Sequence, residues 1–299
     1  MDYSQILSKQ FNIKEEYAKN IITLLDDGNT IPFIARYRKE MHGSMDDQLI
    51  REFAEKLEYL RGLDKRRDEI RSLIDAQEKL TDEINLALDK AATLSELEDI
   101  YRPYRPKRKT RASIAKEKGL EPLANDILKQ EKGFDPSKSA VDYIDEEKGV
   151  TSVEDAIQGA MDIIAELVSD NAEIRKRIRN LTNANGVLVS VATDEEKDSV
   201  YKNYYDYKEP VKKIAGHRVL AVNRGEKEGF LKVSVETDSE KPLNSIFRAM
   251  ITDKNQLCSD IIREACTDAY QRLIYPSIER EVRNDLTDTA SENAMKVFA

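Results

Sequence analysis

The chain has 299 residues, a net charge of −9 at pH 7 and an isoelectric point near 5.1, which excludes a protein that coats nucleic acid with its whole surface. Hydrophobic residues make up 40% of the chain, enough for a buried core, and its length predicts about two domains. Charged residues reach 35%, with only 11 glycines and no tryptophan, which favours long amphipathic helices.

The first forty residues predict a helix-turn-helix outline. Asn12 and Glu15 match an N-cap pair, and apolar residues follow at helical spacing as far as Gly28, which suits the position after a helix. A short turn at 26–29 leads into a second helix after Thr30.

The second helix of this outline carries Tyr37 among the cations Arg36, Arg38 and Lys39. Such a helix could read a DNA groove. Many helical bundles have the same outline without contacting DNA, so we favour the structural interpretation.

A long helix is predicted from Ser44, because apolar residues recur at spacings of three, four and seven. We expect four of its leucines to face a core: Leu57, Leu60, Leu63 and Leu73. The opposite side is expected to carry charged residues: Lys56, Arg66, Arg67 and Asp68. Further helices are predicted from Thr81 and from Ser95, which forms a capping-box pattern with Glu98.

The basic segment, Tyr101 to Gly119, contrasts most sharply with the rest of the chain. It holds eight cations and one acid, a net charge of +7, so the remainder of the −9 chain carries −16. Pro103 and Pro106 are expected to hold its first half partly extended. Clustered cations with nearby aromatics are typical of a phosphate-binding surface.

Six cations of the basic segment are the candidate nucleic-acid-binding residues: Arg102, Arg105, Lys107, Arg108, Lys109 and Arg111. The other interpretation is that the segment neutralises acidic helices of the same fold. Charge alone supports the two interpretations equally.

The second half of the chain mixes helices with two strand-like runs. Helices are expected from Thr110 to Gly119, from Pro122 onward, and from Val153 to Leu181 with a break near Asn171. The runs at 187–191 and 231–235 have the valine content and the alternation of strands, and we expect them to form a two-stranded antiparallel ribbon.

The predicted fold class is therefore mainly α, with a helix-turn-helix unit and this small ribbon. We predict a helical domain at 1–130 that contains the basic segment, a connection with one short helix at 131–152, and a central helical region with the ribbon at 153–299.

A group of tyrosines is a second candidate for nucleic-acid contact. Base stacking on these rings is possible in principle, because Lys202 and Lys208 lie between and beside them. A buried stripe is favoured, since three of the positions follow helical spacing. The tyrosines are Tyr201, Tyr204, Tyr205 and Tyr207.

Catalysis finds little support in the sequence. The two histidines, His42 and His217, have no partners at metal-ligand spacing, and Gly225 and Gly229 lack the spacing of a nucleotide-binding loop. We expect no enzyme, no cofactor and no metal. A hydrolase with a carboxylate-bound metal is the weakest alternative.

The chain lacks a long apolar run, a secretory leader and a disulfide framework, which predicts a cytoplasmic protein with no membrane partner. Cys258 and Cys266 lie too far apart along one helix to bridge. After Pro276, apolar residues recur at every fourth position up to Phe298 without a helix stop signal. We therefore expect the chain to be a piece of a longer protein.

Several stretches of this sequence resemble the Tex family of bacterial transcription accessory proteins. They are TIPFIARYRKEMHGS from Thr30, LEDIYRPYRPKRKTRA from Leu97, TRASIAKEKGLEPLA from Thr110, EPVKKIAGHRVLAVNRGEKEG from Glu209 and YPSIEREVRNDLT from Tyr275. The resemblance implies a mostly helical amino-terminal region. It also implies that the chain stops before a ribonuclease-H-like domain, helix-hairpin-helix units and an OB-fold RNA-binding domain, to which the family's main nucleic-acid contact is attributed. It transfers no binding residue to this region.

Two functions remain open at this point. The first is a non-enzymatic transcription accessory protein, in which this region is a helical scaffold with auxiliary phosphate contacts to RNA or DNA and with the transcription machinery as a further partner. The alternative is a docking module whose acidic helical faces bind polymerase or another protein.

Overall fold

The computed structural model describes the backbone of residues 2–298 and the side chains of residues 2–294. The side chain of Phe298, the last member of the predicted apolar row, therefore lies outside the described residues. The chain forms two compact units, Met1–Tyr104 and Arg105–Ala299, and the mainly α fold class is confirmed. The domain boundaries at 130 and 152 stay predictions.

The first unit is entirely helical in its described part. Its helices are α1 (Tyr3–Phe11), α2 (Glu15–Asp26), α3 (Ile31–Tyr37), α4 (Lys39–His42), α5 (Asp47–Asp75), α6 (Asp82–Lys90) and α7 (Leu94–Tyr101), followed by a 3-10 turn at Arg102–Tyr104. The first half of α5 packs in a core with α1, α2 and α3, and its second half packs in a core with α6 and α7.

Three predicted helix starts in this unit are corrected. Asn12 ends α1 in the left-handed region, with φ of 52°, and α2 begins only at Glu15. Asparagine is suited to this role because it tolerates the left-handed conformation better than most residues. Asp46, rather than Ser44, caps α5, and Thr93, rather than Ser95, caps α7 through the backbone N–H of Glu96.

The buried face of α5 is largely as predicted. Leu57, Leu60 and Leu63 are buried, but Leu73 is 42% exposed and its assignment to the core was wrong. The buried row continues through Ile70 and Ile74, and Leu73 lies about 100° away from Ile74 around the helix. Arg67, which was expected on the opposite side, belongs to the buried row instead.

The second unit adds a small sheet to a helical layer. Its helices are α8 (Arg111–Glu117), α9 (Glu121–Lys129), α10 (Pro136–Ala140), α11 (Val153–Asp170), α12 (Ala172–Asn185), α13 (Gly216–Lys227), α14 (Glu240–Met250), α15 (Gln256–Asp268) and α16 (Tyr275–Phe298). A π-helical turn, Ala269–Ile274, joins α15 to α16. The predicted break near Asn171 is confirmed, because this residue caps α12.

The predicted pairing of the two valine-rich runs is confirmed, but the sheet has three strands. Strand β1 (Val187–Ala192) pairs antiparallel with β3 (Leu231–Glu236), and Val187 lies opposite Glu236. The correction is β2 (Asp206–Pro210), which pairs with the other side of β1. This edge strand has one aromatic residue and three charged ones, so it lacks the apolar alternation that revealed the other two.

The outer edge of β3 is covered by side chains from two helices. The N–H of Val233 donates to Glu226 of α13 (3.1 Å), and the N–H of Val235 donates to Glu279 of α16 (3.0 Å). The carbonyl oxygens of the same two residues accept from Arg283 (3.0 Å) and from the hydroxyl of Tyr275 (2.8 Å). Four polar backbone groups at this edge are thus satisfied without a further strand.

None of the described helices combines the length and the apolar character that crossing a membrane requires.

Candidate nucleic-acid interface

The boundary between the two units falls inside the basic segment. Arg102 belongs to the first unit, and the five other candidate residues, Arg105, Lys107, Arg108, Lys109 and Arg111, belong to the second. Arg102 and Arg105 each take part in an intramolecular interaction. The site is therefore built here from the cations between Lys107 and Arg111.

The start of α8 fixes the end of this stretch. Thr110 and Ser113 form a capping box, in which each side chain accepts from the backbone N–H of the other at 3.0 and 2.8 Å. Ala112 and Ala115 of α8 are buried in the largest hydrophobic core of the second unit, together with residues of α9, α11 and α15. Gly159 of α11 permits this packing, because a Cβ there would overlap the side chain of Leu120. The stretch before Thr110 has no regular structure and is held at this end by a well-packed helix.

Lys107 is committed to the fold. Its ammonium group pairs with Asp170 and, at 3.4 Å, with Glu166, both on α11. The lysine side chain is 29% exposed, and both carboxylates are more buried than it is. For Lys107 the interpretation that the basic segment neutralises an acidic helix is correct.

An acidic row on α11 runs beneath the segment. Asp162, Glu166 and Asp170 are four residues apart and therefore share one side of the helix. Burial raises the pKa of Asp162, while the nearby guanidinium of Arg111 opposes that rise. Sequence analysis missed this row, although its spacing of four within a predicted helix was a usable signal.

Arg108 and Lys109 face solvent. Arg108 is exposed and makes no hydrogen bond or ion pair with any residue that the structure describes. The side chain of Lys109 is 67% exposed, and its ion pair with Glu117, at 3.4 Å, is equally exposed. Exposed pairs of this kind contribute only ~0.2–1 kcal/mol, so Lys109 can exchange Glu117 for a phosphate easily.

The basic segment therefore contains cations of two kinds. Lys107 pairs with α11, Arg108 and Lys109 present their charge on the surface, and Arg111 is exposed but also lies near Asp162 of α11. Binding of nucleic acid by these residues stays a prediction.

The tyrosine group is part of a core. Tyr201 is buried, and Tyr204, Tyr205 and Tyr207 are partly buried against the cluster that contains Leu188 and Leu231. The expected burial is confirmed for Tyr201 and in part for the other three, but the helical stripe was wrong, because Tyr204 lies in a 3-10 turn (Lys202–Tyr204) and Tyr207 lies in β2.

The described residues contain no group of three histidine, cysteine or acidic side chains arranged to hold a metal ion. His42 is buried, and its Nε2 donates to the carbonyl of Ile34 at 3.0 Å. Cys258 and Cys266 are free, as their spacing predicted. Both are also buried, and burial raises the pKa of Cys266 to about 12. A thiol with such a pKa is a poor nucleophile at neutral pH.

Two family sequence models match this chain. One, described as Tex central region-like, covers residues 131–298, and the other, described as Tex-like protein N-terminal domain, covers residues 1–75.

Individual relatives align along almost the whole chain. The uncharacterized protein YdcI of Bacillus subtilis (strain 168) is 43% identical over 99% of this chain and 41% of its own length. The transcriptional accessory protein Tex of Neisseria gonorrhoeae is 35% identical over 100% of this chain and 40% of its own length. The human S1 RNA-binding domain-containing protein 1 is 30% identical over 99% of this chain and 31% of its own length. The chain thus spans well under half the length of these relatives.

Proposed function

This chain belongs to the Tex family, and from that premise we propose that it serves as a transcription accessory protein in the cytoplasm, without catalysis, and that its basic segment contacts the phosphates of RNA or DNA. The name of the Neisseria gonorrhoeae relative supports the transcription-related role. The name of the human relative refers to RNA binding. The rest of this region is a helical scaffold for those contacts.

A single observation carries the proposal of phosphate contact: three neighbouring cations remain on the surface of a strongly acidic chain. Arg108 has no ionic partner among the described residues, and Lys109 has one weak partner. Arg111 is exposed and lies near the partly buried carboxyl of Asp162. Phosphate groups satisfy such cations without requiring a shaped pocket. The contact is therefore independent of base sequence.

The expected strength follows from the number of cations. Three phosphate contacts give a slope near −3 in log K against log salt concentration for duplex DNA, from roughly −0.9 per contact. The charge of −16 on the rest of the chain opposes approach of a polyanion. We expect dissociation constants at the weak end of non-specific binding, ~10⁻⁴ to 10⁻⁵ M.

The alternative function, docking of another protein onto acidic helical faces, has less support. The acidic row on α11 already pairs with Lys107 and lies near Arg111. A row whose charge is used internally offers little to a basic partner.

Fluorescence anisotropy of labelled duplex DNA and labelled duplex RNA at low salt tests the proposal. The 299-residue chain should bind both, and a variant with Arg108, Lys109 and Arg111 all changed to Glu should not. A matched control changes three exposed cations elsewhere in the second unit, Lys138, Lys202 and Arg224, to Glu and so alters the net charge equally. If both variants lose binding equally, the loss is due to net charge and not to the basic segment. If the unaltered chain does not bind, the proposal is refuted.

A further inference from the structure

The short helix α3 presents an aromatic and basic surface to solvent. Phe33, Arg36 and Tyr37 are spaced so that they share one side of the helix. Tyr37 is 64% exposed, and its ring centroid lies 5.4 Å from that of Phe33. The guanidinium of Arg38 lies over the Phe33 ring at 5.5 Å from its centroid. We call this surface, with Lys39, the α3 face.

The cations of the α3 face have no carboxylate partner among the described residues, and the guanidinium of Arg38 contacts the Phe33 ring. Arg36, Arg38 and Lys39 are exposed, and none forms an ion pair with a residue in the described part of the chain. Acidic residues outnumber basic ones in this protein, 57 to 48, so three adjacent cations without a carboxylate partner are unusual. Their charge is complementary to a polyanion.

The opposite side of α3 is held rigidly. Ile34 is fully buried, and its carbonyl accepts from the ring of His42 at 3.0 Å. The side-chain amide of Asn20 donates to the carbonyl of Met41 at 3.0 Å, which fixes the following turn of chain. The exposed Tyr37 ring and the half-buried Phe33 ring are therefore carried by a backbone that is anchored from behind, which lowers the entropic cost of stacking a ligand on them.

We propose that the α3 face is a stacking site for unpaired bases of a single-stranded nucleic acid. Exposed aromatic rings beside cations are the combination that binds single strands without sequence preference, because every base has a π-face and a neighbouring phosphate. This site lies in the first unit and uses no residue of the basic segment, so it does not depend on the phosphate contact proposed above.

Reading of a DNA groove by α3 does not fit the same residues. A recognition helix contacts base edges mainly through polar side chains near its amino terminus. Here that end of the helix carries Ile31, Pro32 and Phe33, which offer no side-chain donor or acceptor. The cations are at the other end, where they suit phosphates.

The absence of tryptophan from this chain allows a direct test. The variant Tyr37→Trp places a single tryptophan on the α3 face, and stacking of a base on it should quench its fluorescence. The matched control is Tyr59→Trp on α5, an exposed tyrosine with Lys56 over its ring at 4.6 Å but with Glu55 and Glu58 nearby in the helix. The probes are a deoxythymidine oligonucleotide, a uridine oligonucleotide, a duplex of equal length and a polyglutamate peptide.

We expect both single strands to quench the tryptophan at position 37, and the duplex and the peptide to leave it unchanged. The control tryptophan should respond to none of them. Quenching by the duplex alone would favour groove binding, and quenching by polyglutamate alone would make the surface a protein-docking site. Either of these results, or an equal response at position 59, would overturn the proposal.

A second measurement separates this site from the basic segment. In the variant with Arg108, Lys109 and Arg111 changed to Glu, quenching at position 37 by a single strand should persist. In that same background, Tyr37→Ala should weaken single-strand binding about fivefold or more, while Tyr37→Phe should preserve it. Loss of quenching with the basic segment altered would show that the α3 face does not bind alone. Duplex binding by the Tyr37→Trp chain as tight as that of the unaltered chain, with no quenching by either single strand, would refute the stacking site and leave the phosphate contact standing.

Discussion

Two runs of cations with similar sequences have different roles in this protein. Lys65, Arg66 and Arg67 lie in α5, and Lys107, Arg108 and Lys109 lie in the basic segment. In the first run Arg67 is 4% exposed and donates to the carbonyls of Leu88 (2.8 Å) and Ala91 (3.0 Å), and also pairs with Asp64. In the second run the middle residue, Arg108, has no such partner among the described residues.

The helical period explains this difference. Arg67 falls between Leu63 and Ile70 in the buried row of α5, so the helix carries its side chain into the core. Arg108 follows Pro106 in a stretch without regular structure, so no helical period carries its side chain into a core. For Arg67 and Arg108, position in a periodic element rather than local charge separates a cation that stabilises the fold from one that remains available, whereas Lys107 reaches its partners on α11 without a helix of its own.

The largest effect is expected from removing the buried cation. Arg67→Met should lower the free energy of unfolding by ~3–5 kcal/mol, because two buried backbone carbonyls would lose their donor and Asp64 would lose one of its partners, keeping the hydroxyl of Tyr3 at 2.8 Å. Urea denaturation followed by circular dichroism measures this. Arg61→Met on the same helix is the control, since its pair with Asp26 is exposed, and a similar loss there would contradict the distinction between buried and exposed cations.

The buried row itself gives the next effect. Leu60→Ala should cost ~2–4 kcal/mol, because a buried side chain would leave a cavity. Leu73→Ala, at the exposed position 13 residues further along α5, should change stability by no more than ~0.5 kcal/mol. Equal denaturation midpoints for the two variants would mean that the face of α5 has been misassigned.

Within the basic segment, Lys107 and Arg108 should separate stability from binding. Lys107→Ala removes one ion-pair partner from Asp170 and from Glu166 and should lower the free energy of unfolding by about 1 kcal/mol. It should leave the salt dependence of nucleic-acid binding unchanged. Arg108→Ala should leave the free energy of unfolding unchanged and reduce the magnitude of the slope of log K against log salt concentration by about 1. Anisotropy titrations at several salt concentrations, with denaturation of the same samples, would show whether the two neighbours behave alike instead.

The smallest effect concerns the exposed pair of Arg61 and Asp26. The hydrogen bonds from Arg61 hold the pKa of Asp26 below its ordinary value of 3.8. Because the pKa is lowered in the folded state, the contribution of the pair is present above pH 3.8 and is lost as the pH falls through the folded value. The stability difference between the unaltered chain and Arg61→Met should be ~0.2–1 kcal/mol at pH 7 and should shrink in acid. A difference that grows on acidification would contradict this sign.

Much of the fold could be predicted because its elements obey simple periods. The valine-rich runs were recognisable as paired strands, and Thr110, Gly119 and Asn171 marked helix ends by their capping chemistry. Strand β2 could not be found in this way, because an edge strand with charged residues has no apolar alternation. Leu73 was misassigned because its residue type suggests burial, although it lies next to the buried Ile74 rather than in the buried row.

The site was harder to predict than the fold. The sequence located the excess of positive charge correctly in the basic segment. It could not show that Lys107 is paired and Arg108 is not, because this difference depends on where α11 places Glu166 and Asp170. Lys107 and Asp170 are 63 positions apart in the sequence, so their contact is set by tertiary packing and cannot be predicted from local residue spacing.

The covered edge of β3 has a consequence for how this molecule associates with others. Bare strand edges recruit strands from neighbouring molecules and so initiate aggregation. At β3 the backbone groups of Val233 and Val235 are already bonded to side chains of α13 and α16. At the other edge, β2 carries Asp206, Lys208 and Glu209 and ends at Pro210, which cannot donate a backbone hydrogen bond. This sheet therefore resists addition of a fourth strand at both edges, and a macromolecule that meets it must be recognised by its side chains.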